Sequence, residues 1–275
     1  MRRSSMPSIK LLSSDLNGTL VQPHTMQEMI RVGFPEEPVR YEKARAAFAL
    51  QTEGRLSLAE TFRIAGEQTR GLPLRIAIEY AMRQMPFMAG YRSLMSFVEN
   101  HGIHLAIVST GYTVTLHAIR YSTLAIPFHA RCNRLVFAHS GGRVLGEEEL
   151  ESLVRQYIQR PGASSRGLYD SVRATGEVVL GIQDEGDKAR LALDLARSLG
   201  VPFAHVAHMG DTMGDSEGIL GVARAGGLGI AFNYNQALAA FLLREGAAEI
   251  ESGHILLVEP KGPDSDLEKV IPLLE

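Results

Sequence analysis

The sequence predicts an α/β fold, a doubly wound parallel sheet with a smaller helical cap domain inserted after the first strand. Two observations predict it. Short apolar runs at "SIKLLSS" (residues 8–14), "IHLAIVST" (103–110) and "FAHVAHM" (203–209) each end in a polar or glycine turn and give way to helical periodicity, as parallel strands and their crossovers do. The stretch 22–85 between the first two runs is too long for one crossover and carries apolar residues at helical spacing.

The elements follow in order. "MRRSSMPSIKLL" has a basic start without the apolar stretch of a signal peptide, and Met6 is read as an alternative start that makes residues 1–5 a dispensable tail. The first strand ends at Asp15. Helical patterns in "YEKARAAFAL", "LSLAETFRIAG" and "LRIAIEYAMRQM" fill the cap, residues 22–85, and "PFMAGY" (86–91) returns the chain to a core made of 1–21 and 86–275. After the second strand, "RLVFAHSGGRVLG" (134–146) is expected to be a hairpin turning at Gly141-Gly142. Residues 159–176 are polar and turn-rich and are assigned no element. "DEGDKARLALDLARSLG" is a strongly amphipathic helix before the third strand, and "LGIAF" (228–232) is a fourth buried run. Ligands of such a sheet bind beyond the carboxyl ends of its strands, so Asp15, Ser109 and Asp211 are expected at one rim.

Composition narrows the function. A chain of 275 residues, 45% hydrophobic and 21% charged, can bury a sizeable core. Its net charge of −3, without a basic stripe, argues against nucleic acid and anionic membranes and for a small-molecule partner. One cysteine, Cys132, permits no internal disulfide, and a reducing cytoplasm fits best. No run approaches the roughly 18 apolar residues of a membrane span. Nothing in the sequence sets the oligomeric state.

Four pieces carry the chemistry. In "LLSSDLNGTLV", Asp15 ends a buried strand before a Gly18-Thr19 turn; the carboxylate suits a nucleophile or metal ligand and the turn amides an anion, although a turn residue would look the same. In "IVSTGY", Ser109, Thr110 and Gly111 end a strand before a helix, which suits a phosphate or a plain helix cap. In "HMGDTMGDSEGI", Asp211 and Asp215 are hard oxygen ligands suited to Mg2+, or the start of a capped helix with Glu217 in its first turn. Lys188, at the start of its helix, opposes the helix dipole and is either solvated or facing negative charge. Together these are the parts of phosphoryl transfer, whose catalysis is largely positioning and electrostatics.

In that order, "DLNGTL", "VSTGY", Lys188 and "GDTMGD" resemble the four signature motifs of the haloacid dehalogenase (HAD) superfamily, and most closely its phosphoserine phosphatase branch. The resemblance runs from Ile9 to about Phe232 and includes "GRLSL", "MAGY", "CNRLVF" and "GIAFN". It implies a HAD-like Rossmannoid core and a Mg2+-dependent phosphatase acting on a small phosphorylated metabolite. Asp15 would form an aspartyl-phosphate; Ser109 and Lys188 would hold the transferring oxygens; Asp211, Asp15 and the backbone carbonyl of Asn17 would ligate Mg2+. Asp215 would orient Lys188 or reach the metal through water, and Arg55 would match a substrate-contacting cap arginine.

Asn17 departs from the pattern. The phosphatases carry Asp there as general acid and base, and an amide has no titrating proton to do either task. The metal contact survives because it uses the backbone oxygen. Their acidic residues after the first motif are also not matched, His24 and Glu28 standing nearby in a different pattern. Several accounts stay open: a substrate with a good leaving group such as an acyl phosphate, another proton source such as His24 or Glu28, a catalytically impaired phosphometabolite-binding protein, a phosphotransferase to an acceptor other than water, or an Asn17 introduced by mutation.

Other features read as structural. His205 and His208, three apart on an expected strand, point to opposite faces and do not share a metal. The methionines of "YAMRQMPFM" are packing residues, and Cys132 has no electropositive partner and is a small core residue. "GGLGIAF" places its glycines before the apolar run, unlike a dinucleotide fingerprint.

Overall fold

The computed structural model describes residues 8–22, 24–52, 55–122, 128–160, 166–184, 186–262 and 264–275. The tail at 1–5, the alternative start at Met6, Gly54 of "GRLSL" and residues 161–165 lie outside them. The chain runs β1 (Leu11–Ser14), α1 (Thr25–Gly33), α2 (Pro38–Thr52), α3 (Leu58–Glu67), α4 (Leu74–Arg83), α5 (Tyr91–Asn100), β2 (His104–Tyr112), α6 (Thr113–Ser122) and β3 (Phe128–Ala138). It continues through α7 (Glu147–Gln159), α8 (Arg166–Ser171), β4 (Arg173–Val179), α9 (Gly186–Leu199), β5 (Val206–Gly210), α10 (Ser216–Arg224), β6 (Leu228–Tyr234), α11 (Gln236–Glu245), α12 (Ala247–Glu251) and β7 (Ile255–Pro260).

The strands form one sheet in the order β4-β3-β2-β1-β5-β6-β7, with every neighbouring pair parallel except β3–β4. The chain builds outward from β1 to β3 and returns to the other side of β1 with β5. The sheet is therefore doubly wound, and its switch point lies at the end of β1. Alternation along β1 feeds both faces. Leu12 joins the large core with Leu105, Ile107, Met209 and Ile230, while Leu11 joins Ala106, Val108 and Val206 against Ala192, Leu195 and Ala196 of α9 and Val222 of α10. Helices α1, α3 and α4 contribute Met29, Ile30, Phe62, Ala65, Ala77 and Ile78 to the same large core.

Where the chain leaves β1 for these helices and where it comes back, the two crossings pair. Gln22 N–H donates to Pro86 O at 3.0 Å and Met88 N–H to Leu20 O at 2.9 Å, around a Val21–Phe87 bridge. Helix α3 starts with a capping box, Glu60 N–H donating to Ser57 Oγ at 3.2 Å and Ser57 N–H to Glu60 Oε2 at 3.0 Å.

The structure differs from the sequence-based expectation at three places. Residues 134–138 belong to β3, a parallel neighbour of β2 that starts at Phe128. The glycine turn after it exists, with Gly142 at φ +83° and its N–H donating to His139 O at 2.8 Å. The returning arm, however, is a single Ala138–Val144 bridge, and the antiparallel partner of β3 is β4, from the stretch left without an element. Phe203–His205 is a 3-10 turn, and the strand starts only at Val206. His205 therefore sits off the strand, its Nδ1 bonded to Ser8 O at 2.7 Å, while fully buried His208 bonds Ser13 Oγ through Nδ1 at 2.9 Å. Among the described residues, no helix is long and apolar enough to cross a membrane.

Candidate active site

The register of the sheet assembles the site. Ser14 stands opposite Ile107 of β2 and Met209 of β5, so Asp15, Ser109 and Asp211 emerge side by side. Asp15 is anchored through its N–H to Met209 O at 2.9 Å. Across the rim, Lys188 in the first turn of α9 is 3% exposed and donates from Nζ to Asp15 Oδ1 at 2.9 Å and to Asp215 Oδ1 at 2.5 Å. The lysine thus faces negative charge. Helix α9 does not depend on it for its start, because Asp184 Oδ1 accepts the Asp187 N–H at 3.0 Å and Asp187 Oδ2 the Gln183 N–H at 2.8 Å.

Asp215 does two jobs. Its Oδ2 accepts the N–H groups of Asp211 and Thr212, each at 3.1 Å, and closes the 3-10 turn Met213–Asp215 ahead of α10. Its other oxygen takes the lysine. The turn and the ion pair are therefore built from one carboxylate, so its part in the turn before α10 does not compete with one in the candidate site.

Gly18 is required where it stands. Its φ is +80°, and a Cβ there would lie 2.1 Å from Asp211 Oδ2. The turn consumes its own amides: Gly18 N–H donates to Val21 O at 2.7 Å and Thr19 N–H to Leu16 O at 3.4 Å. This differs from the expectation of free turn amides, and the reason is the tightness of the turn. Buried Thr19 directs its hydroxyl to Asp211 Oδ1 at 3.2 Å.

Ser109 is fully buried and its Oγ accepts the Gly111 N–H at 3.0 Å. Strand β2 continues through Tyr112 and α6 begins at Thr113, so neither Ser109 nor Thr110 caps that helix. Asn17 Oδ1 accepts the Thr25 N–H at the start of α1 at 3.0 Å. Arg55 is exposed and, among the described residues, is not part of the cavity wall, and Glu28 is paired with Arg31 at 2.7 Å. Cys132 is largely buried, and burial pushes its thiol up, away from the reactive thiolate.

Two buried asparagines brace the rim. Asn133 donates from Nδ2 to Thr110 O at 3.0 Å and accepts the Gly181 N–H at 2.9 Å, tying β2 to the segment before α9. Asn233, at φ +52°, donates to Gly18 O at 2.6 Å and accepts from Ser265 Oγ at 3.0 Å. Neither was singled out from sequence as a site residue, and the only signal was an asparagine within or ending an apolar run.

Electrostatics mark the cluster as short of positive charge. Asp15, Asp211 and Asp215 bring ligand oxygens within 4.8 Å of one another, with one lysine between them. Burial pushes Asp15 up to about 6 against the pull of Lys188, and burial together with the neighbouring carboxylates pushes Asp211 well above the usual range. Burial also acts on Asp215, but Lys188 outweighs it and holds that carboxyl below its ordinary value. Lys188 is penalised by burial, yet Asp15 and Asp215 keep it charged above its ordinary range. Three buried carboxylates with one ammonium suit a hard dication, which takes oxygen ligands.

Above the rim is a cavity of ≈ 350 Å³. Asp15, Asn17, Thr110, Lys188, Thr212 and Met213 line the sheet side, with Ile182, Asp184, Gly214 and Asn235 around them; His24, Phe48, Gln51, Leu58 and Phe62 line the helical side. His24 lies against Phe48 with centroids 4.1 Å apart and the rings tilted by 47°, and Phe48 meets Phe62 edge-on at 5.6 Å. Burial pushes His24 down to about 4.

No protein-family model matches the chain. Curated relatives do, three of them phosphoserine phosphatases. The one from Streptomyces coelicolor is 25% identical over 224 residues, 82% of this chain and 44% of that protein. The one from Methanocaldococcus jannaschii is 27% identical over 144 residues, 52% and 64% respectively. Phosphoserine phosphatase SerB2 of Mycobacterium tuberculosis is 27% identical over 230 residues, 83% and 45%. The match thus spans about half the length of the first and third.

Among solved structures, a phospho-aspartyl intermediate analogue of phosphoserine phosphatase aligns at a TM-score of 0.64 with 18% identity over 98% of this chain and 100% of its own. A HAD-family hydrolase from Salmonella enterica aligns at 0.66 with 18% identity over 98% and 73%. At that identity the likeness speaks for the fold. Taken with the ordered motifs and the curated relatives, it makes the chain similar to the HAD superfamily, and within it to the phosphoserine phosphatase-like branch.

Proposed function

We propose that the protein is a Mg2+-dependent phosphatase that hydrolyses a small phosphorylated metabolite through an aspartyl-phosphate on Asp15. The observation that carries this reading is the buried Lys188 bridging Asp15 and Asp215 beside Asp211, at the floor of a cavity large enough for a small phosphoester. Asp15, Asp211 and the Asn17 backbone oxygen would hold Mg2+, with Asp215 as a further or water-mediated contact. When bound, the ion would neutralise phosphoryl oxygens and offset the excess of buried carboxylates.

The chain's own residues do the rest. Lys188 keeps Asp15 oriented and offers positive charge to a transferring oxygen. Asp15 attacks phosphorus and takes the phosphoryl group, and Ser109, with Thr110 and Gly111 beside it, holds its oxygens. Gly18 and Thr19 set the turn and hold Asp211, so their part in phosphate binding is indirect. We further propose that residues 22–85 act as a cap over a core of 1–21 and 86–275, a division supported by the paired crossings at Gln22–Pro86 and Leu20–Met88. Arg55 is retained only as a substrate contact made on cap closure.

The test is phosphate release from a panel that includes acetyl phosphate, phosphoserine and alkyl phosphates. Release should require Mg2+ and vanish in Asp15→Ala. Metal-independent turnover, or turnover surviving that substitution, would reject the reading. A second reading, a binding protein impaired in turnover, is favoured by one observation: Asn17 has no proton to give and its oxygen is already engaged by Thr25. Phosphometabolite binding without hydrolysis even of acetyl phosphate would select it.

A further inference from the structure

The cavity wall and the orientation of Asn17 together say what kind of alcohol the site can release; the inference rests on the phosphatase reading above. The Thr25 N–H is a donor, so the atom of Asn17 that meets it at 3.0 Å is the oxygen. The amide nitrogen is on the Gly111 side, where a Cβ on that glycine would lie 3.4 Å from Nδ2, and Asn17 itself lines the cavity. Asn17 can therefore donate a hydrogen bond to the bridging ester oxygen but cannot hand it a proton. An aliphatic alkoxide, whose conjugate acid is about as weak as water near 15.7, leaves poorly without one. A phenoxide, with a conjugate acid near about 10, leaves without it.

The wall opposite the acidic floor fits the second half of that description. His24, Phe48, Leu58 and Phe62 are aromatic or apolar, and Gln51 is neutral. The tilted His24–Phe48 contact and the edge-on Phe48–Phe62 contact continue to Tyr112, whose ring is 6.3 Å from that of Phe62. Among the described lining residues no carboxylate stands on this side to receive an ammonium group. Asp184 is at the exposed mouth on the sheet side, with Oδ1 accepting the Asp187 N–H. A planar, uncharged ring would lie against these faces in an offset or edge-on arrangement.

We propose that the substrate is an aryl phosphomonoester, its uncharged ring seated against Phe48 and Phe62 and its phenolic oxygen hydrogen-bonded by the Asn17 amide. Asp15 Oδ attacks phosphorus as the P–O(aryl) bond breaks, the electron pair leaves with the phenoxide, and the phenoxide takes its proton from bulk water. Water then attacks the phosphoryl group, the P–O(Asp15) bond breaks, and both water protons depart on dihydrogen phosphate as the Asp15 carboxylate is restored.

The experiment compares kcat/KM for phenyl, acetyl and ethyl phosphate with Mg2+, and measures binding of benzylphosphonate against methylphosphonate. Phenyl phosphate should exceed ethyl phosphate by about 10² or more, and Asn17→Asp should narrow that gap by raising the ethyl rate. Phe48→Ala should cut the phenyl-to-acetyl ratio about tenfold while Phe48→Tyr preserves it, with melting curves showing that both fold. Comparable phenyl and ethyl rates, or a ratio unmoved by Phe48→Ala, would overturn the proposal while Mg2+- and Asp15-dependent hydrolysis of acetyl phosphate kept the phosphatase reading. If neither ester nor acetyl phosphate turns over, that reading fails. About tenfold tighter benzylphosphonate binding would then still support the aromatic seat, and equal binding of the two phosphonates would overturn it.

Discussion

Lys188 Nζ lies 2.9 Å from Asp15 Oδ1 and 2.5 Å from Asp215 Oδ1, with all three side chains buried. One ammonium thus serves the proposed nucleophile and the carboxylate that closes the 3-10 turn. Removing one member of a buried ion pair leaves uncompensated charge, a cost of about 3–5 kcal/mol. Lys188→Met is expected to lower the melting temperature by several degrees and to reduce phosphate release by at least about 10²-fold. Calorimetry and a phosphate assay on the same preparation check it; a variant as stable as wild type would mean the carboxylates are not held by this contact.

The acidic cluster also links metal binding to pH. Burial raises Asp15 to about 6 and Asp211 well above the carboxylate range, so the metal-free site takes up protons as pH falls toward and below neutrality. Raised carboxyls stabilise the metal-free fold in their protonated form, and that contribution is lost as pH rises through the folded values. A dication favours the ionised forms and restores it. Addition of Mg2+ should therefore raise the melting temperature more at pH 8 than at pH 5. Equal shifts at the two pH values would contradict the assignment of Asp15 and Asp211 as ligands.

Gly18 tests the turn. A side chain there must adopt φ near +80° and would place Cβ 2.1 Å from Asp211 Oδ2. Strain of about 1–2 kcal/mol is expected from the backbone alone, with displacement of Asp211 in addition. Gly18→Ala should weaken Mg2+ affinity measured by titration more than it lowers stability. The reverse ranking would mean that Asp211 moves away freely and does not hold the ion.

The sequence made the candidate rim legible because Asp15 and Asp211 each follow a buried apolar run, and the parallel register then brings them side by side. Lys188 was visible as an anomaly, a cation at a helix N-terminus, and the structure explains it by two carboxylates. What sequence could not reveal depended on partners far away in the chain. Strand β4 comes from a polar stretch and exists because β3 offers it an antiparallel edge. Asn133 and Asn233 act through backbone groups near residues 110, 181 and 18. His24 stood out in the sequence only as a candidate proton source and Phe48 and Phe62 not at all, because only the fold places the three together in a wall opposite Asp15.

The central claim is that Asp15 becomes phosphorylated. Wild-type protein mixed with acetyl phosphate and Mg2+, quenched in acid and mapped by peptide mass spectrometry, is predicted to carry one phosphoryl group on Asp15, and Asp15→Asn none. Sustained phosphate release in which no adduct forms on Asp15, or an adduct on another residue, would contradict the account.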